Sequence, residues 1–215
     1  MQTKVLIVDD HPAVREGLAV RISAQPDLEV CGEAADIPQA LEMAQKSAPH
    51  VAIVDIQLKN GNGLDLIDRF KALPSPVQVL VWSMFRDDLY AQRALRAGAR
   101  GYINKECATG KIVEAIRCVR EGKIYLADET AQRMLSQRFT AGGRDKPAGV
   151  EALSNRELEV FRMIGQGLAA SQIAQRLHRS SHTVEAHRQA IKRKLGLKTA
   201  AELNRAAVQW TLESG

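Results

Sequence analysis

The sequence predicts an α/β domain built on a five-stranded parallel sheet, followed by a second domain that is entirely helical. Five short apolar runs alternate with amphipathic stretches through the first 125 residues. The runs are almost continuously apolar, which is typical of parallel strands covered by helices on both faces. Beyond a glycine-rich stretch, every remaining segment has the apolar spacing of a helix.

The apolar runs predict the strands, and the amphipathic stretches predict the helices between them. The predicted strands are Val5–Val8, Leu28–Cys31, Val51–Val54, Val77–Trp82 and Gly101–Ile103. The predicted helices are Ala13–Ser23, Ile37–Lys46, Leu64–Lys71, Leu89–Ala97 and Ile112–Glu121. Pro12 suits the first turn of a helix, where its missing N–H has no partner. Gly98 and Gly122 follow helix ends, where a positive φ is often required.

A further helix and a glycine-rich stretch predict the connection between the domains. The helix covers Asp128–Arg138, and residues 140–149 hold three glycines and a proline among small polar residues. Such a composition is typical of a linker. We therefore expect a first domain over residues 1–125, a linker helix and flexible linker over residues 126–150, and the helical domain over residues 151–215.

Capping residues and a short turn predict four helices in the second domain. Ser154-Asn-Arg-Glu157 has the sequence of a capping box, and Thr199-Ala-Ala-Glu202 repeats that pattern before the last helix. Between them, Ser171–Leu177 predicts a short helix, residues 178–180 a tight turn, and Ser181–Leu195 a longer basic helix. This order predicts a helix-turn-helix.

Charge is distributed unevenly between the two domains. Residues 1–138 carry 18 basic and 18 acidic side chains, whereas residues 151–215 carry ten basic and six acidic ones. The second domain alone is therefore expected to meet a polyanion. No apolar stretch reaches the ~18 residues of a transmembrane helix, and no signal peptide is expected. The three cysteines lack metal-ligand spacing, so we expect reduced thiols and a cytoplasmic protein.

Acidic side chains end two of the predicted strands, and a lysine follows a third. Asp9 and Asp10 follow the first strand, Asp55 follows the third, and Lys105 follows the fifth. Ligands bind outside the carboxyl ends of parallel strands where the strand order reverses, so these side chains are expected to share one pocket. Clustered carboxylates need a cation, and oxygen ligands favour Mg²⁺. The pocket is predicted to be a magnesium-assisted phosphoryl acceptor.

The first 125 residues resemble the receiver domain of two-component response regulators, which has a flavodoxin-like fold. The positions that carry the resemblance are Asp9, Asp10, Asp55, Ser83, Tyr102 and Lys105. The resemblance implies that Asp55 accepts a phosphoryl group from a cognate histidine kinase. It implies that Asp9 and Asp10 hold Mg²⁺ with Asp55, and that Lys105 pairs with the phosphoryl oxygens.

Three further roles in this domain are implied by the same resemblance. The main-chain carbonyl of Gln57 would complete the metal site. Ser83 would donate its hydroxyl to the phosphoryl group, and Tyr102 would turn inward as packing changes. The chain departs from the family pattern at Lys59, where a proline is common. The stiffness of this loop and the lifetime of the acyl phosphate are therefore not fixed by the resemblance.

The second domain resembles the LuxR-type DNA-binding domain. The resemblance rests on Leu153-Ser-Asn-Arg-Glu-Leu-Glu-Val160, on Thr183-Val-Glu-Ala-His187 and on Lys194-Leu-Gly-Leu197. With the receiver-like domain in front, the chain is similar to response regulators of the NarL/FixJ type. This similarity implies double-stranded DNA as a partner and a homodimer as the active form.

The basic helix Ser181–Leu195 has two distinct faces. A core-facing stripe is predicted at Val184, Ile191 and Leu195, and the opposite face carries Glu185, Arg188, Gln189 and Lys192. In a major groove, glutamine can pair with adenine and arginine with guanine. The resemblance implies base contacts by Glu185, Ala186 and Gln189. It implies phosphate contacts by Ser181, Thr183, His187, Arg193 and Lys194.

Two alternatives to a phosphorylation-switched transcription factor follow from the same residues. In the first, the chain binds DNA, but its receiver domain works without phosphorylation as a dimerisation module. In the second, the chain is a magnesium-dependent phosphatase or phosphotransferase with Asp55 as nucleophile. Phosphatases of the haloacid type need a second acid two residues after the nucleophile, and this chain has Gln57 there. We therefore expect a regulator and not an enzyme.

Overall fold

The computed structural model describes residues 2–59, 61–84, 88–105, 110–140 and 149–213. The chain divides into two compact units, residues 1–136 and 137–215. The first unit is α/β and the second is helical, as the sequence predicted. The predicted flexible linker falls mostly on residues 141–148, which lie outside the described part, as does Cys107. Cys31 and Cys118 are free thiols.

Five parallel strands form the sheet of the first unit. They are β1 (Thr3–Val8), β2 (Leu28–Ala34), β3 (Val51–Val54), β6 (Gln78–Ser83) and β7 (Gly101–Asn104). Their order in the sheet is β2-β1-β3-β6-β7. All five predicted strands are confirmed, and β2 extends beyond its predicted end at Cys31. Because β1 lies between β2 and β3, the strand order reverses there, and a cleft forms at the carboxyl ends of β1 and β3.

Six helices cover the two faces of the sheet or follow it. They are α1 (Pro12–Ser23), α2 (Ile37–Ser47), α3 (Gly63–Phe70), α4 (Asp88–Ala97), α5 (Ile112–Arg120) and α6 (Asp128–Thr140). Pro12 lies in the first turn of α1, and Gly98 and Gly122 have φ angles of 108° and 76°. These predictions are confirmed. On one face the core packs Ile22 of α1 and Ile116 of α5 against the strands, and burying each such side chain contributes about 1.5–3 kcal/mol.

A short hairpin follows β3 and was not predicted. Its strands, β4 (Gln57–Leu58) and β5 (Gly61–Asn62), are antiparallel. The Asn62 side chain then caps α3 by accepting the N–H of Leu64 at 2.9 Å. A Cβ at Gly61 would overlap the terminal methyl group of Ile37 of α2, so that side chain would have to shift to admit another residue here. The hairpin forms where the resemblance expects a proline-containing loop, and the exposed Lys59 lies between its strands.

The free edge of β7 is covered by the chain that leaves α5. Tyr125 forms an isolated parallel bridge with Gly101. The Tyr102 N–H donates to the carbonyl of Tyr125 at 3.0 Å, and the Tyr125 N–H donates to the carbonyl of Arg100 at 2.8 Å. This segment therefore adds a single paired residue to the edge of the sheet before α6 begins.

The second unit is a four-helix domain, as predicted. A single 3₁₀ turn, Gly149–Ala152, precedes α7 (Asn155–Gly165), α8 (Ala170–Arg176), α9 (Ser181–Leu195) and α10 (Ala200–Glu213). The predicted capping box at Ser154 is confirmed in both directions. At the last helix, the Thr199 hydroxyl accepts the N–H of Glu202, and the Glu202 carboxylate accepts the N–H of Lys198.

Close packing of α7 on α10 organises the core of this domain. The rings of Phe161 and Trp210 lie 5.7 Å apart at a tilt of 43°. One turn further along α7, a Cβ on Gly165 would overlap the carbonyl oxygen of Ala207 and the hydroxyl of Thr211. The glycine therefore allows the two helix backbones to approach. In the described part of the chain, no helix combines the length and apolar character needed to cross a membrane.

We expect Gly165→Ala to lower the free energy of unfolding of the second unit by about 1–3 kcal/mol, because the added methyl group meets backbone atoms that cannot turn aside. Urea denaturation, followed by Trp210 fluorescence in a Trp82→Phe background, measures the change. The matched control is Gly17→Ala in α1, followed by Trp82 fluorescence in a Trp210→Phe background. A Cβ at Gly17 meets no atom within 4 Å, and a small gain in the stability of the first unit is expected. Equal stability of Gly165→Ala and its parent would contradict the packing argument.

Candidate functional site

Three charged residues stand directly beyond the ends of parallel strands. Asp9 follows β1, Asp55 follows β3 and Lys105 follows β7. The main-chain N–H of each continues the ladder and donates to the last residue of a neighbouring strand, β2, β1 and β6 respectively, at 3.1, 2.9 and 2.8 Å. The backbone is therefore fixed at each position. This explains how three distant sequence positions converge on one edge of the sheet.

The Lys105 ammonium group bridges the two carboxylates. Its Nζ donates to Asp9 Oδ2 at 2.6 Å and to Asp55 Oδ2 at 2.7 Å. The exposed fractions of the three side chains are 9% for Lys105, 2% for Asp9 and 5% for Asp55. When both carboxylates are ionised, this nearly buried group has one negative charge in excess. Such a group favours a further bound cation.

The environment changes the proton affinity of both partners. Burial raises the pKa of Asp55 to about 6, because removal from water disfavours the charged form. Lys105 opposes this rise, and the charge of Asp9 adds to it. Burial alone would lower the pKa of Lys105, but the interactions with Asp55 and Asp9 outweigh burial and raise it. Lys105 is therefore charged at neutral pH, whereas ionising Asp55 requires more free energy than ionising an exposed aspartate.

A metal ion would fit beside this group. One ligand atom is offered by each of Asp9, Asp10, His11 and Asp55, and these atoms lie within 4.8 Å of one another. Oδ1 of Asp10 is buried and accepts no hydrogen bond, although His11 Nδ1 lies 2.8 Å from it at an ion-pair distance. A buried carboxylate oxygen that accepts no hydrogen bond, among other carboxylates, suits a hard cation such as Mg²⁺.

The chain after Asp55 is shaped closely around it. The Gln57 N–H donates to Asp55 Oδ1 at 3.3 Å, so this side chain contacts its own loop. The first residue of α3, Gly63, packs so closely that a Cβ would overlap the Asp55 carbonyl oxygen. Its N–H donates to the carbonyl of Ile56 at 2.8 Å. Only glycine allows α3 to start this close to the acidic pocket.

The two remaining predicted residues of the first unit lie on neighbouring strands. Ser83 ends β6 and is 1% exposed. Its carbonyl accepts the Lys105 N–H, so the two residues are adjacent in the sheet. Tyr102 lies on β7 opposite Val81, and its ring is buried in this structure.

Sequence reasoning missed two residues that contact Asp9. The His11 N–H donates to Asp9 Oδ1 at 2.9 Å. The Arg15 guanidinium donates to the main-chain carbonyl of Asp9 at 2.7 Å and to Glu33 at 3.3 Å. Their signal was weak but present, since His11 directly follows the acidic pair and Arg15 lies four residues later on the same helix face.

A capped helix-turn-helix forms the second candidate site. The turn between α8 and α9 passes through His178, which has a positive φ of 48°. Ser180 caps α9 by accepting the N–H of Thr183 at 3.1 Å. The prediction that Val184 and Ile191 face the core is confirmed, because both are fully buried. The opposite face of α9 is therefore available to solvent.

The exposed face of α9 carries most of the residues predicted to meet DNA. Exposed positions are Ser181, Glu185, Ala186, Gln189, Arg193 and Lys194, and partly buried positions are Thr183, His187, Arg188 and Lys192. Glu185 is held by two neighbours: Gln189 donates to it at 3.0 Å, and Arg188 lies 3.3 Å from it as an ion pair. These contacts neutralise the one acidic side chain on this basic helix.

Two of the predicted phosphate contacts have partners inside the domain. The Lys194 ammonium donates to Glu157 at 2.6 Å. His187 is partly buried, and burial together with the charge of Arg156 lowers the pKa of its imidazole. The imidazole is therefore neutral at pH 7, so any phosphate contact it makes is a hydrogen bond without a full positive charge.

Comparison with known proteins identifies a family for each of the two units. Residues 5–117 match the model of the response regulator receiver domain, and residues 151–207 match the luxR family of bacterial regulatory proteins. The oxygen regulatory protein NreC of Staphylococcus carnosus is 32% identical over 204 residues, which cover 93% of this chain and 94% of NreC.

Solved structures give the same result. RcsB from Salmonella enterica serovar Typhimurium, bound to a promoter in the presence of the phosphomimetic BeF₃⁻, is 25% identical with a TM-score of 0.66. The match covers 97% of this chain and 100% of that one. A structure of two RcsB dimers on two parallel DNAs is 24% identical, with a TM-score of 0.58 and coverage of 100% and 99%. This second likeness shows the fold.

The fold and the two sites define a two-domain regulator that joins a receiver to a helix-turn-helix. The chain belongs to the response regulators with a receiver domain and a LuxR-type DNA-binding domain, the NarL/FixJ type. Members of this family are transcriptional regulators and not enzymes, as the sequence predicted.

We expect Asp55→Asn to raise the free energy of unfolding by about 1–3 kcal/mol at pH 8 in the presence of EDTA. The folded-state pKa of about 6 lies above the unfolded value of 3.8, so folding favours the protonated carboxyl. The contribution of the protonated Asp55 carboxyl to the free energy of unfolding is complete below pH 4 and is lost as the pH rises through 6. Asparagine is neutral throughout, and its advantage over the wild type should therefore disappear at low pH.

Urea denaturation at a series of pH values measures this dependence. The control is Asp68→Asn, which removes an exposed carboxylate on α3 and should change stability by less than about 0.5 kcal/mol. A difference between wild type and Asp55→Asn that does not vary between pH 4 and pH 8 would contradict the buried-charge argument.

Proposed function

We propose that this chain is a phosphorylation-regulated, DNA-binding transcriptional regulator in which Asp55 accepts a phosphoryl group from a histidine kinase. The observation that carries the proposal is the position of Asp55. Its carboxylate is nearly buried at the switch point of the sheet, between the Lys105 ammonium and the acids that follow β1. A nucleophilic carboxylate with a fixed cation beside it suits in-line phosphoryl transfer, which needs positioning and charge neutralisation.

In the proposed transfer, an oxygen of Asp55 attacks phosphorus as the N–P bond of the donor phosphohistidine breaks. The product is an acyl phosphate, and the histidine nitrogen leaves with the bonding electron pair. Lys105 already donates to Asp55 and can move its hydrogen bonds to the incoming phosphoryl oxygens. The buried Ser83, adjacent to Lys105 in the sheet, would donate its hydroxyl to the same group.

Mg²⁺ is the proposed cofactor of this transfer. It would be held by Asp9, Asp10 and Asp55, with the main-chain carbonyl of Gln57 completing the set. When bound, it would neutralise charge on the phosphoryl oxygens. The donor set supports this assignment, because it is rich in carboxylate oxygen and leaves Asp10 Oδ1 without a hydrogen bond.

The switch is proposed to act through Ser83 and Tyr102. Phosphorylation adds roughly 1.5–2 negative charges and strong acceptor oxygens, which can reorder neighbouring loops. A nearly complete switch needs a preference of about 5 kcal/mol for the active state. In the proposed organisation a receiver over residues 1–125 is joined through residues 126–150 to a DNA-binding domain over residues 151–215.

The exposed face of α9 is proposed to enter the major groove of double-stranded DNA. Glu185, Ala186 and Gln189 would face the bases. Phosphates would be contacted by Ser181, Thr183, His187 and Arg193, with Arg188 and Lys192 flanking them. Two features of α9 support this assignment: its capped start and the contacts that Arg188 and Gln189 make with Glu185. They fix the start of the helix and the orientation of these side chains before DNA binds.

The active form is proposed to be a homodimer in the cytoplasm, where the DNA and the cognate kinase would be met. The outer face of α10 supports a dimer, since Val208 and Leu212 are large apolar residues that are 42% and 80% exposed. RcsB, which has the same fold, has been captured as dimers on DNA. A dimer would recognise two half-sites about one helical turn apart.

Phosphoryl uptake from radiolabelled acetyl phosphate with Mg²⁺ tests the acceptor. We expect Asp55→Ala to abolish labelling, because Asp55 is the proposed acceptor and Asp9, the other carboxylate that Lys105 binds, is proposed to hold Mg²⁺. Lys105→Ala should slow labelling by about 10²-fold, the order expected when one preorganised electrostatic partner is removed. The control Asp68→Ala should label normally. Wild-type labelling of Asp55→Ala would overturn the assignment.

Binding to a random-sequence DNA library, at fixed salt and with Mg²⁺, tests the switch. We expect an inverted-repeat site to be enriched when beryllofluoride is present and much less without it. Asp55→Ala should give the weaker enrichment in both conditions. Equal enrichment by the wild type with and without beryllofluoride would instead establish the alternative, in which the receiver is a dimerisation module that works without phosphorylation.

A further inference from the structure

An ion pair ties the last turn of α9 to the start of α7. Lys194 Nζ donates to Glu157 Oε2 at 2.6 Å. The Glu157 side chain is only 9% exposed, although Lys194 remains 35% exposed. The same carboxylate oxygen accepts the N–H of Ser154 at 2.6 Å. One oxygen atom therefore completes the capping box of α7 and holds the ammonium group of α9.

Both helix ends favour this pair. Glu157 lies in the first turn of α7, where unpaired N–H groups stabilise a negative charge. Lys194 lies in the last turn of α9, where unpaired carbonyl groups stabilise a positive charge. Burial acts to raise the pKa of Glu157, but hydrogen bonds from Lys194 and Ser154 outweigh it and lower that pKa. The carboxylate is therefore charged at neutral pH.

The neighbouring cation on α9 is in a different situation. Arg193 is exposed, and it forms no ion pair with any residue that the structure describes. Its guanidinium can reach a phosphate without giving up a contact. Lys194 would have to leave a nearly buried carboxylate to do the same, and separating one partner from such a pair costs far more than separating an exposed pair.

We propose that Lys194 is a positioning residue, which holds the recognition helix at a fixed angle on α7 through Glu157 and does not neutralise a DNA phosphate. The inference rests on the proposed binding of DNA by α9. Lys194 lies nine positions after Glu185, roughly 13 Å along the helix axis. A change in tilt at the Lys194 end therefore moves Glu185 and Gln189 relative to the bases.

The two roles differ in their dependence on salt and on sequence. A phosphate contact releases counterions when it forms. Its loss therefore makes the fall of log affinity with log salt concentration less steep by about 0.9, and it weakens binding to all duplexes alike. Loss of a positioning contact leaves that slope unchanged. It weakens binding to the specific site more than binding to a scrambled duplex. A residue that contributes to stability alone changes neither quantity while the protein remains folded.

The experiment measures affinities of the full-length protein, with Mg²⁺ and beryllofluoride, for the selected inverted-repeat duplex and for a scrambled duplex of equal length over a salt series. Circular dichroism at the assay temperature establishes that each variant is folded. We expect Arg193→Gln to lower the salt slope by about 0.9 and to leave the ratio of specific to non-specific affinity unchanged. We expect Lys194→Gln to keep the slope and to lower that ratio by about fivefold.

Glu157→Gln provides an independent variant, because a glutamine oxygen can still accept the Ser154 N–H and keep the capping box. We expect Glu157→Gln to lower the ratio of specific to non-specific affinity as Lys194→Gln does, and the double variant to lower it no further. Lys194→Arg should restore the ratio. If Lys194→Gln does not fold, Glu157→Gln decides the question. A slope lowered by Lys194→Gln as by Arg193→Gln, or an unchanged ratio in Glu157→Gln, would overturn the inference. Equal wild-type affinity for both duplexes would overturn sequence-specific binding, and the inference with it.

Discussion

The pairing of two buried carboxylates with one ammonium group constrains most of the first unit. The nearly buried carboxylates of Asp9 and Asp55 share the Lys105 ammonium group as their common cation, and the lysine reaches both only because three strand ends meet. Even with Lys105, the pKa of Asp55 stays raised, at about 6. The pocket is thus incompletely neutralised as built, which is a suitable state for a site whose function is to receive a cation and a phosphoryl group.

Both units depend on glycines that allow close backbone approach and on side chains that cap helix ends. Gly63 brings α3 against Asp55, and Gly165 brings α7 against α10. The second unit has a small apolar core, and polar contacts at helix ends fix the positions of its helices further. Ser180 starts α9, and Glu157 joins the start of α7 to the end of α9. The helix that carries the candidate DNA-contacting residues is therefore fixed at both ends.

Much of this architecture could be predicted from sequence, because its signals are local or follow from the parallel sheet. The bounds of β3 and α9 agree with their apolar patterns, and the convergence of Asp9, Asp55 and Lys105 follows from where parallel strands end. The hairpin β4–β5 could not be predicted, since strands of two residues have no periodicity. Nor could the contact between Lys194 and Glu157, which are 37 residues apart and meet only through helix packing.

The paired residue beside β7 has a consequence for the behaviour of the chain at high concentration. An uncovered edge strand exposes a row of N–H and C=O groups on which another molecule can add a strand, the usual start of ordered aggregation. Tyr125 occupies these groups at Arg100 and Tyr102. A single residue of the outgoing connection thus makes part of one sheet edge unavailable for pairing with another molecule.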